Sequence, residues 1–372
     1  MRNKKCSKKT AIKQQIRFAA ACLFMLIFLT SCWDSVEIES RAFVTAIAID
    51  KYGEDFAVAM EIPYINSEKD IASDKSIKSN EDKTLSAAIY GIDRMTDKSL
   101  YLGPVKLAVL GENILKDEKM FRQSISTLSK DRDISRKLII LSAKEAAAAV
   151  IKAEDEADKL IGTYIASYYK KNNPSLVYRQ DLDRLSRGFA EDGIVVIPNV
   201  YYENEKLIFS GGAVCENYKL AGWLNSDELN GLLWIYSQAE GAFLQWKENG
   251  IFTALSINKC KTHMDFYEEE GIIYARLNIE ARADICESFA GDSFNSSEVS
   301  KKSSDLIRAQ INTAYDALYN KIGVDGFGLL SNMEKKNPDL HKIYFENMGM
   351  DFREIPVIVN INIETNNTGY TE

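Results

Sequence analysis

The sequence predicts an α+β protein, with mixed α/β structure in its first half and a mainly antiparallel sheet plus one long helix in its second. Three observations support this class. Short segments of alternating apolar residues are spread along the chain, segments with apolar residues at helical spacing lie between them, and the second half groups its strand-like segments before a long amphipathic helix. The 372 residues, 46% of them hydrophobic, are enough for more than one domain with its own apolar core.

The first half opens with a predicted β-hairpin. Residues 42–50 and 56–62 both alternate apolar side chains, and the turn Lys51-Tyr52-Gly53 separates them. Residues 66–83 are rich in charged side chains and are predicted to form a solvated loop. The remaining predicted elements are helices at 85–95, 120–128, 146–151, 154–169 and 182–189, and strands at 105–110, 138–141 and 194–197, the last interrupted by Pro198.

The second half begins with strands at 207–214 and 220–223. Asn225, three residues before Glu228, is typical of a capping box at the start of a helix. The predicted elements that follow are extended segments at 253–257 and 272–285 around an acidic turn, a helix at 299–322 and a closing strand at 355–363. The organisation we expect is a signal segment at 1–31, a first domain at 32–153, a helical second domain or subdomain at 154–205 and a C-terminal domain at 206–372.

The first 31 residues predict an export signal. Seven basic residues and no acidic residue precede an apolar run from Phe18 to Leu29. These 12 residues would extend about 18 Å as a helix, well short of the roughly 30 Å hydrocarbon core of a bilayer. The run therefore suits a signal peptide better than a membrane span.

The sequence Leu29-Thr30-Ser31-Cys32 resembles the bacterial lipobox, in which small side chains precede a cysteine that accepts lipid. We expect cleavage between Ser31 and Cys32, a diacylglyceryl group on the thiol of Cys32, and an acyl chain such as palmitate on its new amino group. Several acyl chains are needed for a stable anchor, because a single acyl chain gives only marginal membrane binding. The alternatives are an uncleaved signal anchor, or an ordinary secretory signal in which Cys32 has no role.

Removal of the signal would take away seven positive charges and change the formal net charge from −8 to −15. An acidic surface argues against nucleic acid as a partner. An acidic protein is also not attracted to an anionic bilayer, so the lipid on Cys32 would be what holds the protein at the membrane. Cys215, Cys260 and Cys286 would be the thiols left unmodified, and they do not predict a disulfide framework.

Sequence signatures of catalysis are not found. Cys260 and His263 form a lone C-x-x-H, which supplies two of the about four ligands that structural zinc requires, and His341 lies far from both. The chain has no Gly-x-Ser-x-Gly elbow, no phosphate-binding Gly-rich loop with lysine and no zincin pattern. Gly211-Gly212 and Gly326-Phe327-Gly328 are predicted to relieve backbone strain or permit close packing. We therefore expect a protein that is not an enzyme and binds no cofactor or metal.

Several motifs, taken in order, resemble the Ger(x)C family of spore germination lipoproteins. They are Leu29-Thr30-Ser31-Cys32-Trp33-Asp34, Glu37, Ala48-Ile49-Asp50, Gly211-Gly212-Ala213-Val214, Gly222-Trp223-Leu224, Glu228, Gly231-Leu232-Leu233-Trp234, Gly326-Phe327-Gly328 and the strand at 355–363. The chain departs from the family pattern at Ser35 and Val36, where basic residues are usual, and at Cys215, where an aromatic residue is usual.

The resemblance implies the C subunit of a GerA-type nutrient germinant receptor. Such a subunit would be lipid-anchored on the extracytoplasmic face of the inner spore membrane, beside membrane-embedded A- and B-type subunits. It would serve receptor assembly and signal coupling in spore germination, as a multi-domain ectodomain without catalysis. The alternative function, from another class of protein, is that of a solute-binding lipoprotein that delivers a small molecule to a membrane transporter. A lipid-anchored hydrolase is the third candidate.

Overall fold

The structure is a computed structural model that describes residues 18, 38–64, 75–153, 160–170, 178–204, 206–248, 250–288 and 296–366. The chain divides into a unit Met1–Arg41 and a compact unit Ala42–Glu372. In the first unit, Phe18 is exposed and Ile38–Ser40 form a 3₁₀ turn. Ser31 and Cys32 lie outside the described residues, so the cleavage and lipidation sites stay predictions.

An eight-stranded mixed sheet dominates the first half of the larger unit. Its strands are β2 (Ala46–Tyr52), β3 (Asp55–Pro63), β4 (Lys75–Asp82), β6 (Leu107–Gly111), β7 (Ile139–Ala143), β8 (Ile194–Glu203), β9 (Lys206–Glu216) and β10 (Lys219–Leu224). Their order across the sheet is β10-β9-β8-β7-β6-β2-β3-β4, with β2, β6, β7 and β8 parallel. The short strands β1 (Arg41–Phe43) and β5 (Ser99–Tyr101) form a separate two-stranded sheet.

Helices cover both faces of this sheet. The helices of the first half are α1 (Leu85–Asp93), α2 (Glu112–Lys116), α3 (Glu118–Lys130), α4 (Ala147–Lys152), α5 (Ile161–Tyr168) and α6 (Leu182–Glu191). Alternate strand residues separate two apolar cores: Ala108 and Leu110 of β6 join the core under α1, α3 and α6, whereas Leu107 and Val109 join the core under α4 and α5.

A four-stranded sheet and the helices that pack on it form the second half of the described chain. The strands, in sheet order, are β11 (Phe243–Glu248), β12 (Ile251–Glu269), β13 (Ile272–Ser288) and β14 (Val357–Asn366), the last parallel to β13. The main helices are α7 (Ser226–Ile235), α8 (Ser296–Tyr315), which continues as a π-helical segment Asp316–Ile322, and α9 (Leu329–Lys336), followed by the short α10 (Pro338–His341). Their apolar faces pack against one face of the sheet in a single core.

Two expectations about this fold were wrong. Lys75–Asp82, predicted as part of a solvated loop, forms β4, because a polar strand is well suited to the edge of a sheet where only one neighbour is needed. Pro198 does not end a strand at 197, since β8 continues to Glu203 through a register shift at the proline. Proline is tolerated there because β8 and β7 pair only at Asn199 and Ser142.

The α+β class is confirmed, as are the first hairpin and the sheet with its long helix in the second half. The predicted helix at 154–169 begins at Ile161 within the described residues. The domain boundaries at 153 and 205 stay predictions, and hydrogen bonding in the eight-stranded sheet continues on both sides of residue 205 through β8 and β9.

Candidate functional site

The family-like motifs of the second half come together around α7. The helix starts with the predicted capping box: the Glu228 backbone N–H donates to Asn225 Oδ1 at 2.9 Å, and the Asn225 N–H donates to Glu228 Oε2 at 2.8 Å. Glu228 is buried, and its other carboxylate oxygen lies 3.4 Å from Lys321 Nζ. Both carboxylate oxygens of Glu228 are therefore engaged in contacts that stabilise the fold.

The motif glycines allow close backbone contacts. A Cβ at Gly231 would lie 2.0 Å from the Gln310 carbonyl oxygen, so α7 and α8 approach closely at this point. Gly211 adopts a left-handed conformation with φ of +67°, and a Cβ there would lie 1.9 Å from the Leu224 carbonyl oxygen. The role predicted for Gly211 and Gly328, relief of backbone strain, is confirmed by their left-handed conformations, whereas no such role was predicted for Gly231.

The two motif tryptophans hold the same region together by side-chain hydrogen bonds. Trp234 is buried and its Nε1 donates to Gln310 Oε1 at 2.8 Å. Trp223 Nε1 donates to Glu112 Oε1 at 3.0 Å, and Lys144 Nζ lies 5.0 Å from the centre of the Trp223 ring. The motif cluster, defined as Gly222, Trp223, Glu228, Gly231 and Trp234, thus joins α7 and α8 to the eight-stranded sheet, and its polar side chains make structural hydrogen bonds.

Three buried or half-buried carboxylates in the larger unit, those of Asp50, Glu61 and Asp325, also have structural roles. Asp50 accepts hydrogen bonds from the N–H groups of Ala147 and Ala148 at the start of α4. Glu61 accepts from two N–H groups at the start of α5, and Asp325 from two at the start of α9. Burial raises the pKa values of Asp50 and Asp325. Because each carboxylate caps a helix, each is committed to the fold.

The cysteine and histidine predictions can be compared with the structure directly. Cys260 is buried and His263 is exposed, so the C-x-x-H pair points to opposite faces of β12, as strand alternation predicts. Cys215 is buried as well, while Cys286 is exposed. Burial raises the pKa of Cys260 to about 11 and that of Cys215 further, which keeps both thiols protonated. Within the described ranges, no group of three His, Cys, Asp or Glu side chains could hold a metal ion.

One face of the four-stranded sheet carries exposed and half-exposed side chains and no covering helix among the described residues. The outer face consists of Lys259, Lys261, His263 and Asp265 on β12, Arg276, Asn278, Glu280 and Arg282 on β13, and Ile358, Asn360, Asn362 and Glu364 on β14. Strand pairing places these twelve residues in four rows of three. Their regular spacing makes a broad polar surface.

Side chains within these rows hold each other in place. Arg282 Nε lies 2.9 Å from Glu364 Oε2, and Asn360 Nδ2 donates to Asn278 Oδ1 at 3.0 Å. The outer face has four cationic and three acidic side chains, so it is nearly balanced in a chain whose net charge is −8. An ordered and nearly charge-balanced polar surface of this kind can bind another protein reversibly.

Sequence reasoning did not identify the outer face. The signal was present: between 259 and 265, and between 276 and 282, polar residues occupy every second position. Such alternation predicts one solvated face of a sheet, but it does not predict which strands become neighbours.

In the part of the chain that the structure describes, no helix is both long and apolar enough to cross a membrane.

Comparisons with known proteins agree on one family. The family model "Spore germination protein N-terminal domain" matches residues 34–201, and "Spore germination B3/GerAC like, C-terminal" matches residues 210–369. Spore germination protein B3 of Bacillus subtilis (strain 168) is 24% identical over 293 residues, which is 75% of each chain. Spore germination protein YndF of the same organism is 22% identical over 320 residues, 76% of this chain and 78% of the relative.

The crystal structure of the GerBC protein is similar with a TM-score of 0.58 and 17% identity, covering 86% of this chain and 96% of that one. At this identity the likeness shows the fold. The two family models match the two halves in N-terminal to C-terminal order, so the chain belongs to the Ger(x)C family of spore germination proteins.

Proposed function

We propose that this protein is the lipid-anchored, non-catalytic C subunit of a spore nutrient germinant receptor, required for receptor assembly and signal coupling. The observation that carries the proposal is the match of both family models, which together span residues 34–201 and 210–369. The curated relatives carry the names of spore germination proteins. The motif cluster and the helix-capping carboxylates support a role without catalysis, because the conspicuous polar groups are used to build the fold.

The anchor in this proposal is Cys32, on the extracytoplasmic face of the inner spore membrane. Its support is the sequence alone: a basic segment, a 12-residue apolar run and Leu29-Thr30-Ser31-Cys32. A tether of this kind confines the protein to the plane of the membrane, where a weak contact with other subunits gains from a high effective concentration.

The outer face is the surface that we assign to the A- and B-type membrane subunits. It combines four cationic side chains with three acidic ones and exposes a central group of asparagines, Asn278, Asn360 and Asn362. Polar surfaces of this kind favour specific and reversible contacts, because charges fix the register without a large apolar area that would aggregate in the free protein.

The anchor is tested by metabolic labelling with a fatty acid. Cys32→Ala should abolish incorporation of label, because the acceptor thiol is lost. Cys286→Ala is the matched control, since Cys286 is an exposed thiol that should not be lipidated, and this variant should label like the wild type. Labelling of the Cys32→Ala protein at the wild-type level would overturn the lipobox assignment.

The alternative, a solute-binding lipoprotein, is distinguished by ligand screening of the purified full-length protein. A nutrient that raises the melting temperature in proportion to ln(1 + [L]/Kd) would favour delivery of a solute. A receptor subunit of the proposed kind should instead be isolated together with membrane-embedded subunits.

A further inference from the structure

An open cavity of about 820 Å³ lies beyond the ends of the central strands β2 and β6 of the eight-stranded sheet. Five cationic side chains line it: Lys51, Lys116, Lys119, Arg122 and Lys219. They come from three separate parts of the sequence, the end of β2, the helices after β6 and the start of β10. The volume lies within the roughly 300–1,000 Å³ range of ligand pockets, so it is large enough for a small organic molecule.

The position of the cavity in the sheet is typical of a ligand site. β2 and β6 are parallel neighbours, but the chain leaves β2 toward β3 on one side and leaves β6 toward β7 on the other. Connections that diverge in this way open a crevice beyond the carboxyl ends of the two strands, and open α/β sheets bind ligands in such crevices. Lys51 and Gly53 line the cavity from the β2 end, and Asn113, Lys116 and Asp117 from the β6 end.

The charges in this cavity leave a positive excess. Its two acidic side chains are already paired: Asp117 Oδ2 lies 2.7 Å from Lys51 Nζ, and Glu118 Oε1 lies 3.0 Å from Arg122 Nη2. The hydrogen bond from Lys51 lowers the pKa of Asp117, which keeps this carboxylate ionised.

Among the described residues, Lys119 and Lys219 have no ion-pair partner, although both line the cavity and both are exposed. Two free ammonium groups and three paired cations around one crevice are unusual in a chain of net charge −8. The amide side chains of Asn113 and Gln123 add neutral hydrogen-bond donors to the same lining.

We propose that this cavity binds a phosphate-bearing anion. Phosphate oxygens accept several hydrogen bonds and carry one negative charge in a phospholipid diester and more in a phosphate monoester or pyrophosphate, which matches a lining of lysine, arginine and amide donors. Lys119 and Lys219 supply the uncompensated charge, and Asn113 and Gln123 supply further donors. The phosphate comes either from a soluble phosphorylated molecule or from the headgroup of a phospholipid. This inference concerns a ligand site and stands independently of the proposed receptor role.

The test measures binding by isothermal titration calorimetry with the full-length protein purified in a neutral detergent. The probes are pyrophosphate, for a soluble source, and short-chain phosphatidylglycerol, for a headgroup, each compared with short-chain phosphatidylcholine and with chloride at equal ionic strength. We expect saturable binding of pyrophosphate, of phosphatidylglycerol or of both. The double variant Lys119→Gln with Lys219→Gln should weaken it about tenfold.

The matched control is Lys206→Gln with Lys301→Gln, which removes the same charge from exposed lysines outside the cavity. It should bind like the wild type. Tighter binding of pyrophosphate identifies a soluble source, and tighter binding of phosphatidylglycerol identifies a headgroup. The proposal is overturned if neither probe binds above chloride and phosphatidylcholine, or if both double variants lose affinity equally. Spore germination is not measured, so failure here leaves the receptor proposal untouched.

Discussion

Single residues show most clearly how the motifs of this chain act. The glycines and tryptophans that make the family-like pattern are used for packing, since Gly231 lies against the backbone of α8 and Trp234 donates to Gln310 from a buried position. Sequence spacing is sufficient to predict the capping box at Asn225, and residues three apart on one strand, such as Cys260 and His263, must point to opposite faces. Both are local properties of one helix or one strand. The partner of Trp223, Glu112, is 111 residues away in the sequence and could not be predicted from local pattern.

Substitution of Gly231 tests the packing role. A Cβ at this position would lie 2.0 Å from the Gln310 carbonyl oxygen, which belongs to the backbone of a neighbouring helix and cannot move freely. Gly231→Ala should therefore lower the free energy of unfolding by about 1–3 kcal/mol, despite the higher helix propensity of alanine. Denaturant unfolding followed by circular dichroism measures the change. Asn230→Ala, on the same helix but half-buried, is the control and should be neutral or slightly stabilising. Equal stability of Gly231→Ala and wild type would contradict the close approach of α7 and α8.

At the scale of elements, the β2–β3–β4 part of the sheet supplies polar caps to the helices that pack on it. Glu61 of β3 is fully buried, accepts from Ile161 and Gly162 at the start of α5, and lies 3.3 Å from Lys75 Nζ of β4. Lys75 also donates to the carbonyl oxygens of Ile151 and Ala153 at the end of α4. The polar pattern around Lys75 predicts a loop, whereas in the structure Lys75 of the edge strand caps the end of α4 and pairs with Glu61, which caps the start of α5.

Loss of the Lys75 charge should be costly. Lys75→Met would leave Glu61 buried without its cation, which typically costs about 3–5 kcal/mol of unfolding free energy. Lys78→Met, on the same strand and half-exposed, removes the same charge and should change stability by less than about 1 kcal/mol. The free energies of unfolding of the two variants are measured by chemical denaturation and compared with that of the wild type. A Lys75→Met protein as stable as Lys78→Met would show that the buried pair is not formed.

Asp50, the cap of α4, gives a prediction about pH. Burial raises its pKa above the ordinary value of 3.8, so the folded protein binds this proton more tightly than the unfolded chain. Its contribution to stability is therefore largest below pH 3.8 and declines as the pH rises through the pKa of the folded state. Asparagine does not titrate, so the difference in unfolding free energy between wild type and Asp50→Asn should decrease between about pH 3.5 and about pH 7. A difference that increases over this pH interval would contradict a raised pKa of Asp50 in the folded protein.

At the scale of the whole molecule, the fold class was predictable and the surfaces were not. Apolar periodicity indicates elements, and the grouping of elements indicates α+β. The four rows of the outer face depend instead on the register of strands that are far apart in the sequence, such as β13 and β14. The basic cavity likewise needs β2, β6 and β10 to be brought to one place, which no local pattern encodes.

If the outer face contacts the membrane subunits, charge reversal on it should weaken that contact without changing the stability of the protein. Lys259→Glu with Lys261→Glu reverses two exposed charges on β12 and should change the unfolding free energy by no more than about 1 kcal/mol. It should nevertheless reduce recovery of the A- and B-type subunits when the tagged protein is isolated from spore membranes. Lys206→Glu with Lys301→Glu, placed elsewhere on the surface, should leave recovery unchanged. Equal recovery with both double variants would exclude the outer face as the contact surface.

The central claim, that this protein is a germinant-receptor subunit, is tested most directly by the rate of nutrient-triggered germination in spores that lack it. The strain should also lack paralogous C subunits, so that none can substitute, and the rate is followed as the fall in optical density after nutrient addition. We predict that the response to at least one nutrient is lost, that the wild-type gene restores it, and that germination by non-nutrient agents is unaffected. Normal germination of the deletion spores with every nutrient would contradict the account.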